Sequence, residues 1–169
     1  VHQIHGVRTL FDPEKQNPRT VSTEDADGLA TSSPGLALMI KTADCQPILL
    51  AHSSGRHIAA LHSGWKGNRQ SYPHSAVCEF CEHYHIEPAD VWAVRGPSLG
   101  PAAAEFIHFQ EEWGPEFLPW YDKTRQTMDL WELTRHQLSR AGLLPGHILE
   151  LDLCTFDNAE LFFSYRHSR

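Results

Sequence analysis

Cys45 and His62 each stand where a short apolar run ends, and a thiol and an imidazole at strand ends are placed to converge on a site. Cys45 follows the run LALMI at 36–40 and precedes PILL at 47–50, and His62 closes the run IAAL at 58–61. If these runs form neighbouring strands, two chemistries are open. With the imidazole as base, Cys45 would be a thiolate nucleophile. With His5, far upstream in Gln3-Ile4-His5-Gly6, as a third donor, the set would be a metal site of two histidines and one cysteine. Such a site keeps one coordination position for chemistry, as catalytic zinc sites do. The flanks point beyond packing. Asp44 and the polar Lys41-Thr42 precede Cys45, whereas Ser63-Gly64-Trp65-Lys66-Gly67 after His62 offers two glycines, an aromatic ring and a cation. That composition suits a loop whose backbone approaches an anionic or planar ligand.

A second cluster competes for the same chemistry: Cys78-x-x-Cys81, followed by His83 and His85. A single Cys-x-x-Cys without a matching pair is a weak metal signal. Here it falls inside an amphipathic helical stretch, where residues three apart share a face, so core packing is the expected role. Twelve histidines in the chain favour metal or acid–base chemistry in general without choosing a site.

The elements that must position these residues can be read along the chain. Residues 1–11 read as extended, 12–24 as a polar loop with two prolines, and 27–31 as a short extended piece before the Pro34-Gly35 turn. Three apolar runs, 36–40, 47–51 and 57–62, read as strands buried on both faces, with Ser53-Ser54-Gly55 turning between the last two. Pro73 opens a helix whose face carries Val77, Phe80, Cys81 and Tyr84. Residues 91–94 return as a strand that runs into a stiff loop with Gly-Pro pairs at 96–97 and 100–101. A helix over 102–113 follows, then one over 130–141 with Asp129 and Glu132 as a capping box, Leu130, Leu133, Gln137 and Leu138 on one face, and Gly142 as its stop. Residues 147–152 and 161–165 read as the last strands. Strands before, between and after helices imply a layered α/β domain with a mixed sheet.

Bulk properties narrow the partners. At 169 residues the length is that of one domain. A formal net charge of −7 with no block of consecutive basic residues argues against nucleic acid and favours a small-molecule or protein partner. Four cysteines without a leader-like segment fit reduced thiols and a cytoplasmic setting. No apolar run approaches the ~20 residues of a membrane-spanning helix.

Seven motifs occur in the order seen in the laccase-domain, YfiH-like family. They are Gln3-Ile4-His5-Gly6, Ala26-Asp27-Gly28, Thr42-Ala43-Asp44-Cys45-Gln46-Pro47, His62-Ser63-Gly64-Trp65-Lys66-Gly67, Gly96-Pro97-Ser98-Leu99-Gly100-Pro101, Cys154-Thr155 and Phe162-Phe163-Ser164-Tyr165-Arg166. The chain resembles that family over nearly its whole length. The resemblance implies an α+β fold, a four-layer sandwich of helices around mixed β-sheets. It implies His5, Cys45 and His62 as catalytic metal ligands, with zinc as cofactor and copper as the alternative. The implied reaction is phosphorolysis of adenosine, inosine or guanosine by phosphate to free base and ribose 1-phosphate. Adenosine deamination and methylthioadenosine cleavage are associated activities. A copper-dependent polyphenol oxidase and a metal-free cysteine hydrolase remain the alternatives. Lys66 and Arg166 are the cations whose motif positions suit substrate phosphate. Family members carry residues before the Gln-x-His-Gly motif and a strand after the Phe-Phe-Ser-Tyr-Arg motif, so the expectation is one domain over 1–169 lacking N- and C-terminal family segments.

Overall fold

The apolar runs PILLA at 47–51 and IAAL at 58–61 build the centre of a six-stranded mixed sheet. The computed structural model describes residues 1–13 and 24–168. Its strands are β1 (Thr9–Phe11), β2 (Gly28–Thr31), β3 (Gln46–His52), β4 (Ile58–Ser63), β5 (Val91–Arg95) and, after the helices, a last strand at Ile148–Glu150. The helices are α1 (Trp65–Arg69), α2 (Tyr72–Tyr84), α3 (Phe109–Glu112) and α4 (Leu130–Arg140). A small hairpin, β6 (Tyr121–Asp122) with β7 (Thr127–Met128), precedes α4, so the strand at Ile148–Glu150 is β8. The sheet order is β1-β2-β4-β3-β5-β8, with β1–β2 and β5–β8 parallel and the central pairs antiparallel. The expected layered α/β class with a mixed sheet is what the chain forms.

One face of this sheet is dry. Ala30, Ile48, Leu50, Ala59, Leu61, Val91 and Ala93 meet Tyr72, Ala76, Val77, Phe80 and Cys81 of α2 and Leu138 of α4 in the main core. Helix α4 carries both the expected face and the expected cap, since Asp129 accepts from the Glu132 N–H at 2.9 Å. Its first turns face a second core, in which Leu130 and Leu133 pack with Leu99, Phe106, Phe109, Trp113, Phe117 and Met128.

Several expected elements differ. The run 36–40 is not a strand, and Met39 is 79% exposed. Instead of a strand partner, the Lys41 backbone meets the Gln3 side chain, which donates to its carbonyl and accepts from its N–H, both at 2.8 Å. Only Phe109–Glu112 of the expected helix over 102–113 is helical, because Phe106, Phe109 and Trp113 are drawn into the second core and the Phe106 N–H bonds to the Gln126 carbonyl. Residues 161–165 form turns rather than a strand, held by bonds from the Leu161 and Phe162 N–H groups to the Asn158 carbonyl. Of the central strands, β4 is buried on both faces from Ala59 to Ser63 as expected, whereas β3 alternates and leaves Leu49 half exposed. Of the expected loop over 12–24, residues 14–23 lie outside the described residues. The extended reading of 1–11 holds as a pairing only at β1 and at the His2–Asp25 bridge, with a turn at His5 between them.

Candidate metal centre

Strand β4 alternates Leu61 into the helix-covered core with His62 toward the other face, and β3 pairs beside it with Pro47 opposite His62. Cys45 lies one residue before β3 begins, so it arrives next to the end of β4. His5 comes from the N-terminal segment, whose turn packs edge-on against His62 with ring centroids 4.9 Å apart. One ligand atom from each of His5, Cys45 and His62 lies within 4.8 Å of the other two. The three sequence-selected donors therefore converge. Their burial is graded, with His62 buried, Cys45 half-buried and His5 exposed, so the group is open toward His5.

Gly64, the residue between β4 and α1, makes this approach possible. A Cβ there would sit 2.9 Å from Cys45 Sγ and 3.1 Å from a His5 ring carbon. The segment after His62 is not the ligand-approaching loop read from its composition. It enters α1 at once, and Trp65 packs on Phe106 and Trp113 at the second core.

Two of the ligand-bearing turns are left-handed. His5 has φ 61° and Asp44, beside Cys45, has φ 84°. Non-glycine residues persist there only when the surroundings over-determine them, at a cost of about 1–3 kcal/mol each. An aspartate supports each turn. Asp27 accepts from the backbone N–H groups of Ile4, His5 and Gly6, at 3.3, 3.0 and 2.6 Å. Asp44 accepts from Thr155 Oγ1 at 2.7 Å and from the Arg166 N–H at 2.8 Å, which ties the C-terminal segment to the Cys45 turn. Both aspartates stand inside recognised motifs, and the sequence marks Asp44 as a flank of Cys45 that points beyond packing, but it assigns neither of them this supporting role.

Burial and neighbouring carboxylates set the charge state of the donors. Burial, then the carboxylates of Asp44 and Asp27, push the Cys45 thiol up to about 11. Without a cation beside it the sulfur stays protonated near neutrality, which disfavours the cysteine–histidine hydrolase. Burial also lowers the His62 pKa against the opposing hydrogen bond and charge of Asp27, and a neutral imidazole is the form that ligates. Two nitrogen donors and one sulfur donor suit zinc or copper by softness.

The other expected residues fall as follows. Lys66 is exposed on α1, with Nζ 5.7 Å from the Trp65 ring centroid. The Arg166 guanidinium donates to the Glu105 carbonyl at 2.7 Å and lies over the Phe106 ring, while its backbone meets Asp44. The second cysteine cluster does not converge. Cys81 is in the core as expected, but Cys78 is exposed beside His74, His83 pairs with Asp12 and stacks on Phe11, and His85 caps α2. Two surface clefts, of about 240 and 360 Å³, lie against α4 and the β6–β7 hairpin, and none of the three donors lines either. Among the described residues no helix is long and apolar enough to cross a membrane.

Comparison with known proteins bears on the site. The family model described as multi-copper polyphenol oxidoreductase laccase matches residues 1–169. The chain is 29% identical over 177 residues to purine nucleoside phosphorylase YfiH of Escherichia coli (strain K12), covering 100% of this chain and 68% of that protein. It is 32% identical over 183 residues to a purine nucleoside phosphorylase of Xylella fastidiosa (strain Temecula1), covering 100% of this chain and 66% of the relative. The crystal structure of YlmD from Geobacillus stearothermophilus superposes with a TM-score of 0.86 at 28% identity, covering 98% of this chain and 66% of that one. The chain thus spans about two thirds of the length of these relatives.

Proposed function

Because the chain belongs to the laccase-domain family described as multi-copper polyphenol oxidoreductase laccase, we propose that it is a zinc-dependent purine nucleoside phosphorylase of the cytoplasm with the metal held by His5, Cys45 and His62. The observation that carries this reading is the meeting of those three donors within 4.8 Å at the end of β4. Relatives named as purine nucleoside phosphorylases support the substrate class.

In this reaction a phosphate oxygen bonds to C1′ of the ribose, and the glycosidic bond breaks with its electron pair passing to the purine, which takes up a proton. Bound zinc would supply Lewis acidity and a water of lowered pKa, the chemistry that also suits adenosine deamination. The chain's residues do the remaining work. His5, at the exposed edge, leaves the donor group accessible to substrate. Arg166, whose backbone is anchored on Asp44 beside Cys45, and Lys66, one residue beyond Trp65, bring positive charge for phosphate. Methylthioadenosine belongs to the same substrate class. Residues 1–169 are read as one domain, which spans about two thirds of the relatives it matches.

The family description supports a second reading, a copper-dependent oxidation of phenols at the same donors. A blue-copper centre commonly adds an axial methionine. Met128 is buried in the second core, away from the donor group, and Met39 is 79% exposed.

The test is incubation of the zinc-loaded protein with inosine and phosphate. Hypoxanthine release is expected in the wild type and loss of at least 100-fold in Cys45→Ala, on the scale by which positioned catalytic groups contribute. A preparation with zinc bound at one equivalent and no hypoxanthine would sink the phosphorylase reading. An intense thiolate absorption on copper loading, with phenol oxidation, would move the balance to the oxidase.

A further inference from the structure

The carboxylate of Asp27 does two separate things at the donor group, and their coincidence in one fully buried side chain is the unexplained feature of the site. It is 0% exposed. One oxygen lies 2.8 Å from His62 Nδ1 and 3.0 Å from the His5 N–H, while the other accepts from Gly6 at 2.6 Å and from Ile4 at 3.3 Å. A buried carboxylate left unpaired would cost several kcal/mol, so it needs compensating partners. The four donors around it provide that, and they come from the two segments that carry His5 and His62.

We propose that Asp27 is the positioning residue of the metal centre, fixing His62 as the Nδ1–H tautomer with Nε2 turned to the ligand position while holding the left-handed His5 turn in place. Both carboxylate oxygens already accept backbone N–H groups of residues 4–6, so the hydrogen of the His62 contact is assigned to the imidazole and Nε2 keeps its lone pair. The three backbone N–H groups at 4–6 point at the same carboxylate, and without it the His5 turn, at φ 61°, has lost its acceptor. One side chain thereby sets two of the three donors. This rests on the metal-centre reading above, because a tautomer lock has a purpose only if Nε2 binds something.

The test compares wild type, His62→Ala and Asp27→Asn by zinc titration against a chelator of known affinity, with cobalt absorption as a report of coordination geometry and melting of the metal-free proteins as a report of the fold. Partners of ligating histidines contribute about 10–100-fold in metal affinity. Asp27→Asn is expected to lose that much and to show an altered cobalt spectrum, while His62→Ala loses more. A wild type that binds no tighter than His62→Ala would remove the metal-centre reading itself. A tight wild type, a weak His62→Ala and an Asp27→Asn with wild-type affinity and spectrum would leave the centre standing and overturn the role of Asp27. If Asp27→Asn does not fold, nitrogen-15 NMR of the metal-free wild-type imidazoles decides: His62 protonated at Nδ1 supports the proposal, and His62 protonated at Nε2 overturns it.

Discussion

On one side of the six-stranded sheet Ile48, Leu50, Ala59 and Leu61 are sealed under α2 and α4, whereas on the other Leu49, Trp92 and Leu149 remain 39–51% exposed. The donor group belongs to the second side. His62 alternates with Leu61 along β4, and Asp27, two residues before Leu29, lies close enough to bond it. Strands β3, β5 and β8 therefore face two environments, while β4, with Ala60 and His62 buried as well as Ala59 and Leu61, is covered on both. Residues of one parity specify the fold, and residues of the other are left free to carry chemistry because the core does not consume them. That division explains how a buried histidine and a half-buried thiol coexist with a close-packed interior.

If the division is real, equivalent truncations on the two faces should differ sharply. Leu61→Ala, at a fully buried position, is expected to destabilise by about 2–5 kcal/mol, since a cavity is left under α2. Leu49→Ala, on the open face, should cost about 1 kcal/mol or less. Chemical denaturation of both variants measures the gap. Equal losses would mean that the open face is covered in solution and the comparison fails.

A smaller effect is expected where the two faces hand over to the site. Gly64 has an extended backbone, φ −83° and ψ 178°, which any residue adopts, so its requirement is one of space alone. Gly64→Ala places a methyl against Cys45 Sγ and the His5 ring. Zinc affinity should fall about tenfold, the low end of the effect of groups that support ligands, with the melting temperature of the metal-free protein nearly unchanged. A lower melting temperature with intact zinc affinity would transfer Gly64 from the site to the fold.

Much of this was legible before any coordinates. The cap at Asp129, the face of α2, the strands around 47–51 and 57–62, and the three donors follow from spacing and motif order. What escaped has a common cause. The run 36–40 satisfies strand composition but lacks a partner strand, and its end is held by the Gln3 side chain instead, a contact 38 residues away that no local periodicity reveals. The supporting roles of Asp27 and Asp44 escaped for the same reason: each acts on backbone groups distant in sequence, at residues 4–6 and at Arg166. Trp65 looked like part of a ligand loop because composition cannot tell an aromatic at a binding surface from one that closes a second core. Local pattern reported elements and candidate donors, and long-range hydrogen bonds decided their support.

The smallest effect tests whether the covered face also has an electrostatic tie at its edge. Asp12, just after β1, accepts from the Ser32 N–H at 2.7 Å and lies 3.2 Å from His83 Nε2 on α2, joining the sheet margin to the helix that covers it. Burial would raise its carboxyl pKa, but the hydrogen bonds from Ser32, His83 and Tyr84 outweigh that and leave it below the ordinary value. A depressed folded pKa means that the fold prefers the ionised form. Its contribution is therefore complete above the ordinary carboxylate range and is lost as pH falls through the lowered value. Asp12→Asn cannot titrate there. Between about pH 6 and about pH 3 the wild type should lose slightly more melting temperature than the variant, and the two curves should draw together at the acid end. Parallel curves over that interval would mean that the Asp12–His83 contact adds nothing to the apolar packing and the Tyr72–Thr9 hydrogen bond that already hold α2 on the sheet.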